Sequence, residues 1–375
     1  MVKVSIIGST GYVGIELMRL LHQHPKVKIE DLVSKSSAGE KLTNIYPQFR
    51  GSSLENYSLK AIEDFEPENS DLIFTALPHG VSQDITSELL GRGVKIIDMS
   101  GDFRYHDLDI YEEWYGGKHR HPEAARKAVY GLVELNRERI KNAELVANPG
   151  CYVTASLLGI LPLVKTGMVD LDSIIIDAKS GVSGAGRSLK SSLLFTETHN
   201  TLKAYSPAVH RHSSEIEYIL NQFLSGKYEK TLDEKNIQQS EEEEAESFHN
   251  QSLNNRAEVL FTPHLIPIKR GILSTIYLDL NIESSEEEIY EFFNKFYDGE
   301  SFVQILEDEL PEVKSVAGSN YTQIGFKYDR RTDRIIIVSV IDNMLKGAAG
   351  QAVQNMNLLF GFPEEMALKS TALFP

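Results

Sequence analysis

The residue with the greatest chemical potential in this sequence is its only cysteine, Cys151. It follows an Asn-Pro-Gly turn and opens an apolar run with helical spacing. A thiol at a helix N-terminus gains thiolate character from the helix dipole, and nearby backbone amides can stabilise an oxyanion on an attached carbonyl. The alternative is an inert, buried cysteine that only fills space. The turn that precedes the helix favours a nucleophile.

A nucleophilic thiol needs a base, and the sequence offers His210 and His212 on either side of Arg211. Imidazole exchanges protons near neutral pH, and the arginine could bind an anionic substrate. Three other histidines near loops could compete for the role of base: His79, His199 and His264. Because no second group of His, Cys or carboxylate residues has ligand spacing, the sequence predicts no metal site.

A glycine-rich stretch, Gly8–Gly14, lies between the first predicted strand and the first predicted helix. Such a turn lets a pyrophosphate approach the amino end of the helix, which favours anions. A purely structural turn is the alternative. The second predicted strand ends near Lys35, which suits the 2′-phosphate of NADP, although Asp31 lies close by and a carboxylate there would suit NAD.

Two further segments have the composition of anion-binding loops. Ser180–Arg187 offers backbone amides and hydroxyls and ends on a guanidinium suited to oxyanions. Ser100–Arg104 follows a predicted strand, where ligands bind in open α/β sheets, so Arg104 is a candidate clamp for a phosphate or carboxylate. A flexible turn is the alternative for the first segment.

The pattern of elements predicts two domains. Strands and helices alternate over the first 150 residues, which is typical of a doubly wound α/β domain with a parallel sheet. Later strand-like runs, including 272–282 and 334–341, predict a second, mixed or antiparallel sheet of an α+β domain. A long C-terminal helix is predicted over 348–360. Between them, about 226–256, lies an acidic, polar stretch typical of a solvated surface insertion.

Composition limits the possible partners. The formal net charge of −16 makes nucleic acid or an anionic membrane an unexpected partner. The apolar stretch 151–169 is interrupted by polar residues and a proline, so it predicts a buried helix and turn, not a membrane span. The start of the chain has no secretion-signal pattern, and a single cysteine fits a reducing compartment. These features predict a cytoplasmic protein.

Taken together, the motifs resemble the N-acetyl-gamma-glutamyl-phosphate reductases, a family grouped with the aspartate-semialdehyde dehydrogenases. The matching motifs occur in order over nearly the whole chain: GSTGYVG (8–14), ALPHG (76–80), NPGCY (148–152), SGVSGAGR (180–187), HRH (210–212), TPHLIPIKRG (262–271) and DNMLKGAAGQAVQNMN (342–357). The sequence departs from the family at Val153 and Ser214, where proline is common.

The resemblance implies a fold, a reaction and a set of site residues. It implies a Rossmann domain formed by 1–150 and 343–375, a catalytic and oligomerisation domain over 151–342, and a homotetramer or homodimer. The implied reaction is NADPH-dependent reduction of an acyl phosphate through a cysteine thioester, with release of inorganic phosphate, in arginine biosynthesis.

The residue roles that the resemblance implies fall into three groups. For catalysis it implies Cys151 as nucleophile and His212 as acid/base, with His210 and His212 interchangeable. For substrate binding it implies Arg104, His210 and Arg211. For NADP(H) it implies Gly8, Thr10, Gly11 and Gly14 at the pyrophosphate, Lys35 and Ser36 at the 2′-phosphate, and Ser183, Gly184, Asn343 and Lys346 at the nicotinamide half and nearby phosphates.

Three alternatives remain open from the sequence. An aspartate-semialdehyde dehydrogenase would share the chemistry with a shorter substrate. An aminoadipyl-phosphate reductase would take its substrate from an acidic carrier protein, which a chain of net charge −16 would repel. A non-catalytic NADP-binding sensor would have an inert Cys151.

Overall fold

The computed structural model describes residues 1–228, 256–282 and 284–373. The acidic insertion predicted at about 226–256 lies almost entirely outside the described residues. The strands are β1 Val2–Ile7, β2 Val27–Val33, β3 Leu72–Thr75, β4 Lys95–Asp98, β5 Val129–Tyr130, β6 Leu145–Ala147, β7 Ile174–Ser180, β8 Lys203–Ala204, β9 Val259–Leu265, β10 Ile272–Asp279, β11 Val303–Ile305, β12 Thr322–Asp329 and β13 Arg334–Ile341.

The helices connect these strands and cover the sheets. They are α1 Tyr12–Leu21, α2 Leu42–Ile45, α3 Val81–Leu89, α4 Leu108–Tyr115, α5 Pro122–Lys127, α6 Val133–Lys141, α7 Cys151–Thr166, α8 Phe195–Thr198, α9 Arg211–Leu224, α10 Glu286–Phe296 and α11 Gly350–Leu359. No helix in the described part of the chain is long and apolar enough to cross a membrane.

The first sheet is a six-stranded Rossmann-type sheet with the order β2-β1-β3-β4-β6-β5, and every neighbouring pair is parallel. Its central strands β1, β3 and β4 are almost wholly buried, as strands covered on both faces must be. The predicted doubly wound α/β fold is therefore confirmed. The carboxyl ends of β1 and β4 meet at one edge, which is the usual place for a ligand.

The second sheet has seven strands in the order β11-β12-β13-β10-β7-β9-β8 and is mixed, with β7–β9 and β11–β12 parallel and the other pairs antiparallel. This confirms the predicted mixed sheet. One face packs against α7, α9 and α10 in a continuous apolar core. Helix α7 carries the nucleophile candidate and is buried along nearly its whole length, which fixes its position against the sheet.

The end of the chain returns to the first sheet. Met356 and Val353 of α11 are fully buried and share an apolar core with Val4 of β1 and Leu17 of α1. The helix itself is shorter than predicted, because residues Leu345–Ala349 form a π-helical turn before it. The C-terminal segment thus belongs to the core of the first sheet.

The π-helical turn holds Lys346, which the resemblance assigned to cofactor binding. The side chain is fully buried, and its ammonium donates to Glu134 Oε1 at 2.6 Å and to Gln354 Oε1 at 2.8 Å. Burial alone would raise the pKa of Glu134, but the adjacent ammonium holds this pKa below its usual value. The ammonium of Lys346 is therefore already paired inside the core, and its role in cofactor binding stays a prediction.

We expect Lys346→Met to lower the free energy of unfolding by about 3–5 kcal/mol, since it leaves the Glu134 carboxylate buried without its counter-charge. Urea unfolding followed by circular dichroism measures the change. The double variant Lys346→Met/Glu134→Leu removes both charges and should recover most of the loss. A single variant as stable as the wild type would contradict the buried ion pair.

Candidate active site

Cys151 is the first residue of α7, directly after the N-cap Gly150. The thiol is half-buried behind the π-helical turn, where a Cβ on Gly347 would lie 2.9 Å from Cys151 Cβ. Burial raises the pKa of the Cys151 thiol to about 11, although backbone N–H groups at the helix end and the Arg104 charge favour the thiolate. Because burial favours the neutral thiol, Cys151 needs a base.

The two histidines of the HRH motif have different positions. His210 is the N-cap of α9, and its Nδ1 accepts a hydrogen bond from the backbone N–H of His212 at 3.1 Å. His212 instead turns its Nε2 towards the nucleophile's turn, where a Cβ on Gly150 would lie 2.6 Å from that nitrogen. The structure therefore separates two residues that the sequence left interchangeable.

Both imidazoles are neutral at physiological pH. Burial, together with the charge of Arg211, lowers the pKa of His210 to about 4. Burial also lowers the pKa of His212 well below its usual value, and the cationic neighbours add to this effect. The Nδ1 atom of His212 is buried without a hydrogen-bond partner among the described residues. A neutral imidazole beside a neutral thiol is suited to accept the thiol proton.

Glu215 is a site residue that the sequence analysis missed. Its carboxylate is fully buried and accepts hydrogen bonds from Arg104 Nη1 at 2.7 Å, Tyr130 Oη at 2.8 Å and the backbone N–H of Gly150 at 2.9 Å. The signal was present in the spacing, since a residue three positions after His212 lies on the same face of a helix. Glu215 fixes the turn that presents Cys151.

The two arginines predicted to bind substrate are in different environments. The Arg104 guanidinium is buried and donates to Glu215 and to the backbone oxygens of Asn148 and Met99, so its charge is already compensated. Arg211 is half-buried, and its guanidinium lies over the Tyr115 ring at 4.9 Å. No carboxylate of the described residues forms an ion pair with Arg211, which leaves it as the available cation.

The loop between β1 and α1 has the shape of a dinucleotide cradle. Gly8 has φ +89°, and a Cβ there would lie 2.3 Å from the carbonyl oxygen of Ala76. A Cβ on Gly14 would lie 2.6 Å from the carbonyl oxygen of Gly8, and Gly11 is the N-cap of α1. A side chain at Gly8 or Gly14 would clash with backbone atoms, so glycine lets β1, the loop and α1 pack closely and keeps the backbone N–H groups of the loop uncovered. The residues present therefore fit a pyrophosphate at the amino end of α1.

The end of β2 supports the prediction of NADP over NAD. Lys35 and Ser36 are exposed directly after the strand. Asp31, the residue that left NAD open, is buried within β2 and forms an ion pair with Lys60 at 2.7 Å. The carboxylate of Asp31 is paired with Lys60 and lies inside the strand, not at its end. It therefore does not offer the acceptor that the ribose diol of NAD requires.

Three of the residues predicted near the nicotinamide lie together. Asn343 Nδ2 donates to Ser183 Oγ at 3.0 Å, and its Oδ1 accepts from the backbone N–H of Gly271 at 2.7 Å. Asn343 is buried, whereas Gly184 is exposed on the open side of this loop. The amide of Asn343 thus holds the loop in place, and the loop offers Ser183 and Gly184 to a ligand. Among the described residues, no group of His, Cys, Asp and Glu could hold a metal ion.

Comparisons with known proteins decide the family. A model described as "Semialdehyde dehydrogenase, NAD binding domain" matches residues 3–143, and one described as "Semialdehyde dehydrogenase, dimerisation domain" matches residues 151–233 and 239–343. An N-acetyl-gamma-glutamyl-phosphate reductase of Halothermothrix orenii is 50% identical over 100% of both chains, and one of Caldicellulosiruptor bescii is 46% identical over 98% of both. The chain belongs to the N-acetyl-gamma-glutamyl-phosphate reductase family.

Solved structures of more distant proteins share the fold of this reductase family. An aspartate semialdehyde dehydrogenase II of Vibrio cholerae has a TM-score of 0.67 at 17% identity, covering 96% of this chain and 98% of its own. An aspartate semialdehyde dehydrogenase of Candida albicans, solved with NADP, has a TM-score of 0.67 at 16% identity with the same coverage. At such identities the likeness shows the fold alone, while the family membership rests on the full-length relatives.

The raised thiol pKa predicts slow alkylation of Cys151 in the ligand-free protein at neutral pH. Because only the thiolate reacts with iodoacetamide, we expect the rate to rise steadily from pH 7 to pH 9.5 without a plateau. Mass spectrometry follows the modification, and this chain has no other cysteine to confuse the readout. A plateau with a midpoint below pH 8 would show instead that the helix end outweighs burial.

Proposed function

We propose that the protein reduces N-acetyl-gamma-glutamyl phosphate to N-acetylglutamate semialdehyde with NADPH and releases inorganic phosphate, in arginine biosynthesis. The observation that carries this proposal is the thiol of Cys151 at the start of α7, with His212 Nε2 facing the adjacent Gly150. The names of full-length relatives at 43–50% identity support the substrate.

Acylation begins with proton transfer to a neutral base. His212 Nε2 accepts the proton of the Cys151 thiol, and the sulfur attacks the acyl carbon of the substrate. Backbone N–H groups at the start of α7 are positioned to stabilise the oxyanion. The carbon–oxygen bond to the phosphate breaks, His212 gives its proton to the departing phosphate, and a thioester remains on Cys151.

The second half of the reaction reduces this thioester. When bound, NADPH supplies the hydride that adds to the thioester carbon. The same backbone N–H groups then stabilise the thiohemiacetal oxygen, and its collapse releases the semialdehyde and the Cys151 thiolate. His212 delivers a proton from solvent to the sulfur and so restores the thiol.

The substrate's charges require a cation, and Arg211 is the candidate. Its guanidinium lies on the Tyr115 ring without a carboxylate partner among the described residues, so an anionic group could bind it. We also propose His210 for substrate binding, because its ring centroid lies 4.8 Å from that of His212. Arg104 has a structural role in this proposal. Its charge is paired with Glu215, and its hydrogen bond to the backbone oxygen of Asn148 holds the turn before Cys151.

The cofactor residues are proposed from the cradle and the loops around it. Gly8, Thr10, Gly11 and Gly14 belong to the loop that leads into the amino end of α1, where Gly8 and Gly14 allow close backbone packing. The remaining predicted cofactor residues are Lys35 and Ser36 at the 2′-phosphate and Ser183, Gly184 and Asn343 at the nicotinamide half.

The assembly and location are proposed as a homodimer or homotetramer in the cytoplasm. The face of the second sheet opposite α7 exposes apolar side chains, with Ile175 38% and Leu260 54% exposed. Exposed apolar positions on adjacent strands suit an interface with another copy. The matching model of a dimerisation domain over this sheet supports the same arrangement. We propose the domain division 1–150 with 343–375 and 151–342, because α11 completes the first core.

The assay runs the reaction backwards. We expect phosphate-dependent reduction of NADP by N-acetylglutamate semialdehyde, followed by absorbance, and at least a 10³-fold loss in Cys151→Ser, because a hydroxyl is a far weaker nucleophile. Aspartate semialdehyde serves as the competing substrate. Preference for aspartate semialdehyde would overturn the substrate assignment, and full activity in the variant would overturn the thioester.

Two matched variants decide which imidazole carries the proton. We expect His212→Asn to lower kcat by roughly 10²–10⁴-fold, which is the contribution of a general acid/base. His210→Asn should cost less than about tenfold, because asparagine is also a good helix N-cap. Steady-state kinetics of both variants measures the difference, and the reverse ranking would assign the base to His210.

A further inference from the structure

The side chain of Arg187 crosses from the second sheet's loop to the dinucleotide cradle of the first domain. Gly186, with φ +75°, sets the direction of the chain just before it, a conformation that favours glycine. Arg187 Nη1 donates to the backbone oxygen of Thr10 at 3.1 Å and to Tyr46 Oη at 2.8 Å. The guanidinium also lies over the Tyr46 ring at 5.3 Å.

These contacts place Arg187 at the ribose end of the cradle. Thr10 Oγ1 lies 2.9 Å from Ser34 Oγ, and Ser34 directly follows β2. In a Rossmann domain the end of the second strand is where the ribose of the adenosine half binds. The guanidinium therefore contacts Thr10, whose hydroxyl pairs with that of Ser34, on the side of the cradle where a 2′-phosphate would be.

The charges at this corner favour an anion. No carboxylate of the described residues forms an ion pair with Arg187, and its Nε and Nη2 donate to no described residue. Both carboxylates of β2 are paired, because Asp31 is buried against Lys60 and Glu30 pairs with Lys28. Exposed Lys35 adds a second cation. A guanidinium with free N–H groups matches the geometry of a phosphate better than that of a ribose diol.

We propose that Arg187 binds the 2′-phosphate of NADP(H), so that a residue of the catalytic domain selects the cofactor held by the Rossmann domain. The inference rests on the proposed function only for the identity of the cofactor. Arg187 follows Ser183 by four positions and Gly184 by three, in the loop proposed to meet the nicotinamide. The same loop therefore contacts both ends of the cofactor: the nicotinamide half through Ser183 and Gly184, and the 2′-phosphate through Arg187.

The test measures binding of two probes that lack nicotinamide, 2′-phospho-ADP-ribose and ADP-ribose, to the full-length chain by isothermal titration calorimetry. We expect Arg187→Gln to weaken binding of 2′-phospho-ADP-ribose by roughly ten- to a hundredfold, as for the loss of a charge-assisted hydrogen bond to phosphate. Binding of ADP-ribose should change by less than about threefold. Arg187→Lys should retain part of the discrimination, because it keeps the charge and loses the bidentate fork.

Lys190→Gln is the matched control, since it removes an exposed cation of the same loop whose side chain forms no hydrogen bond or ion pair with a described residue. It should leave both affinities unchanged. Equal weakening of both probes by Arg187→Gln would assign Arg187 to the pyrophosphate and overturn the proposal. No change with either probe, or a wild-type chain that fails to prefer 2′-phospho-ADP-ribose, would also overturn it. The proposed function fails separately, in the semialdehyde assay, because these probes carry no reacting group.

Discussion

The carboxylate of Glu215 is the interaction on which the arrangement of the site depends. It is fully buried and bonds to groups from three separate parts of the chain: the Gly150 backbone, Arg104 and Tyr130. Because Glu215 lies on α9, these bonds tie the helix that carries His212 to the start of the helix that carries Cys151. Removing a buried acceptor leaves several donors unsatisfied, so the nucleophile and base keep their relation only while this carboxylate is present.

Burial also determines the protonation states of Cys151 and His212, on which the proposed reaction depends. It raises the pKa of the Cys151 thiol and lowers the pKa of His212, so both groups are neutral in the ligand-free protein. A proton can then pass between them as the sulfur attacks, without a stored thiolate. The resting thiol is protected, since an exposed thiolate would react with oxidants and electrophiles. Arg211, which has no carboxylate partner among the described residues, is the cation that we propose for the anionic groups of the substrate.

The fold of the first domain and its glycine loop agree closely with the sequence prediction, because both depend on residues that are near each other in the chain. Gly8 must adopt a positive φ, and Gly14 must let α1 approach the loop, so neighbouring residues of the chain specify the cradle. The strands around it alternate with helices at short range. The family motifs pointed to Cys151 and His212 for the same reason, since each sits at a helix start that its own neighbours define.

The sequence by itself determined the Rossmann and mixed-sheet fold and the glycine loop, and it predicted Cys151 as the nucleophile, because each depends on patterns a few residues long. Only the tertiary structure decided which charged side chains are paired with each other and which are available to a ligand. Lys346 pairs with Glu134 across 212 residues and Arg104 with Glu215 across 111, so no local pattern reveals that both cations are already compensated. Arg187 likewise reaches Thr10 across 177 residues. A charged side chain's role is set by its partner and its burial, and folding alone brings distant partners together.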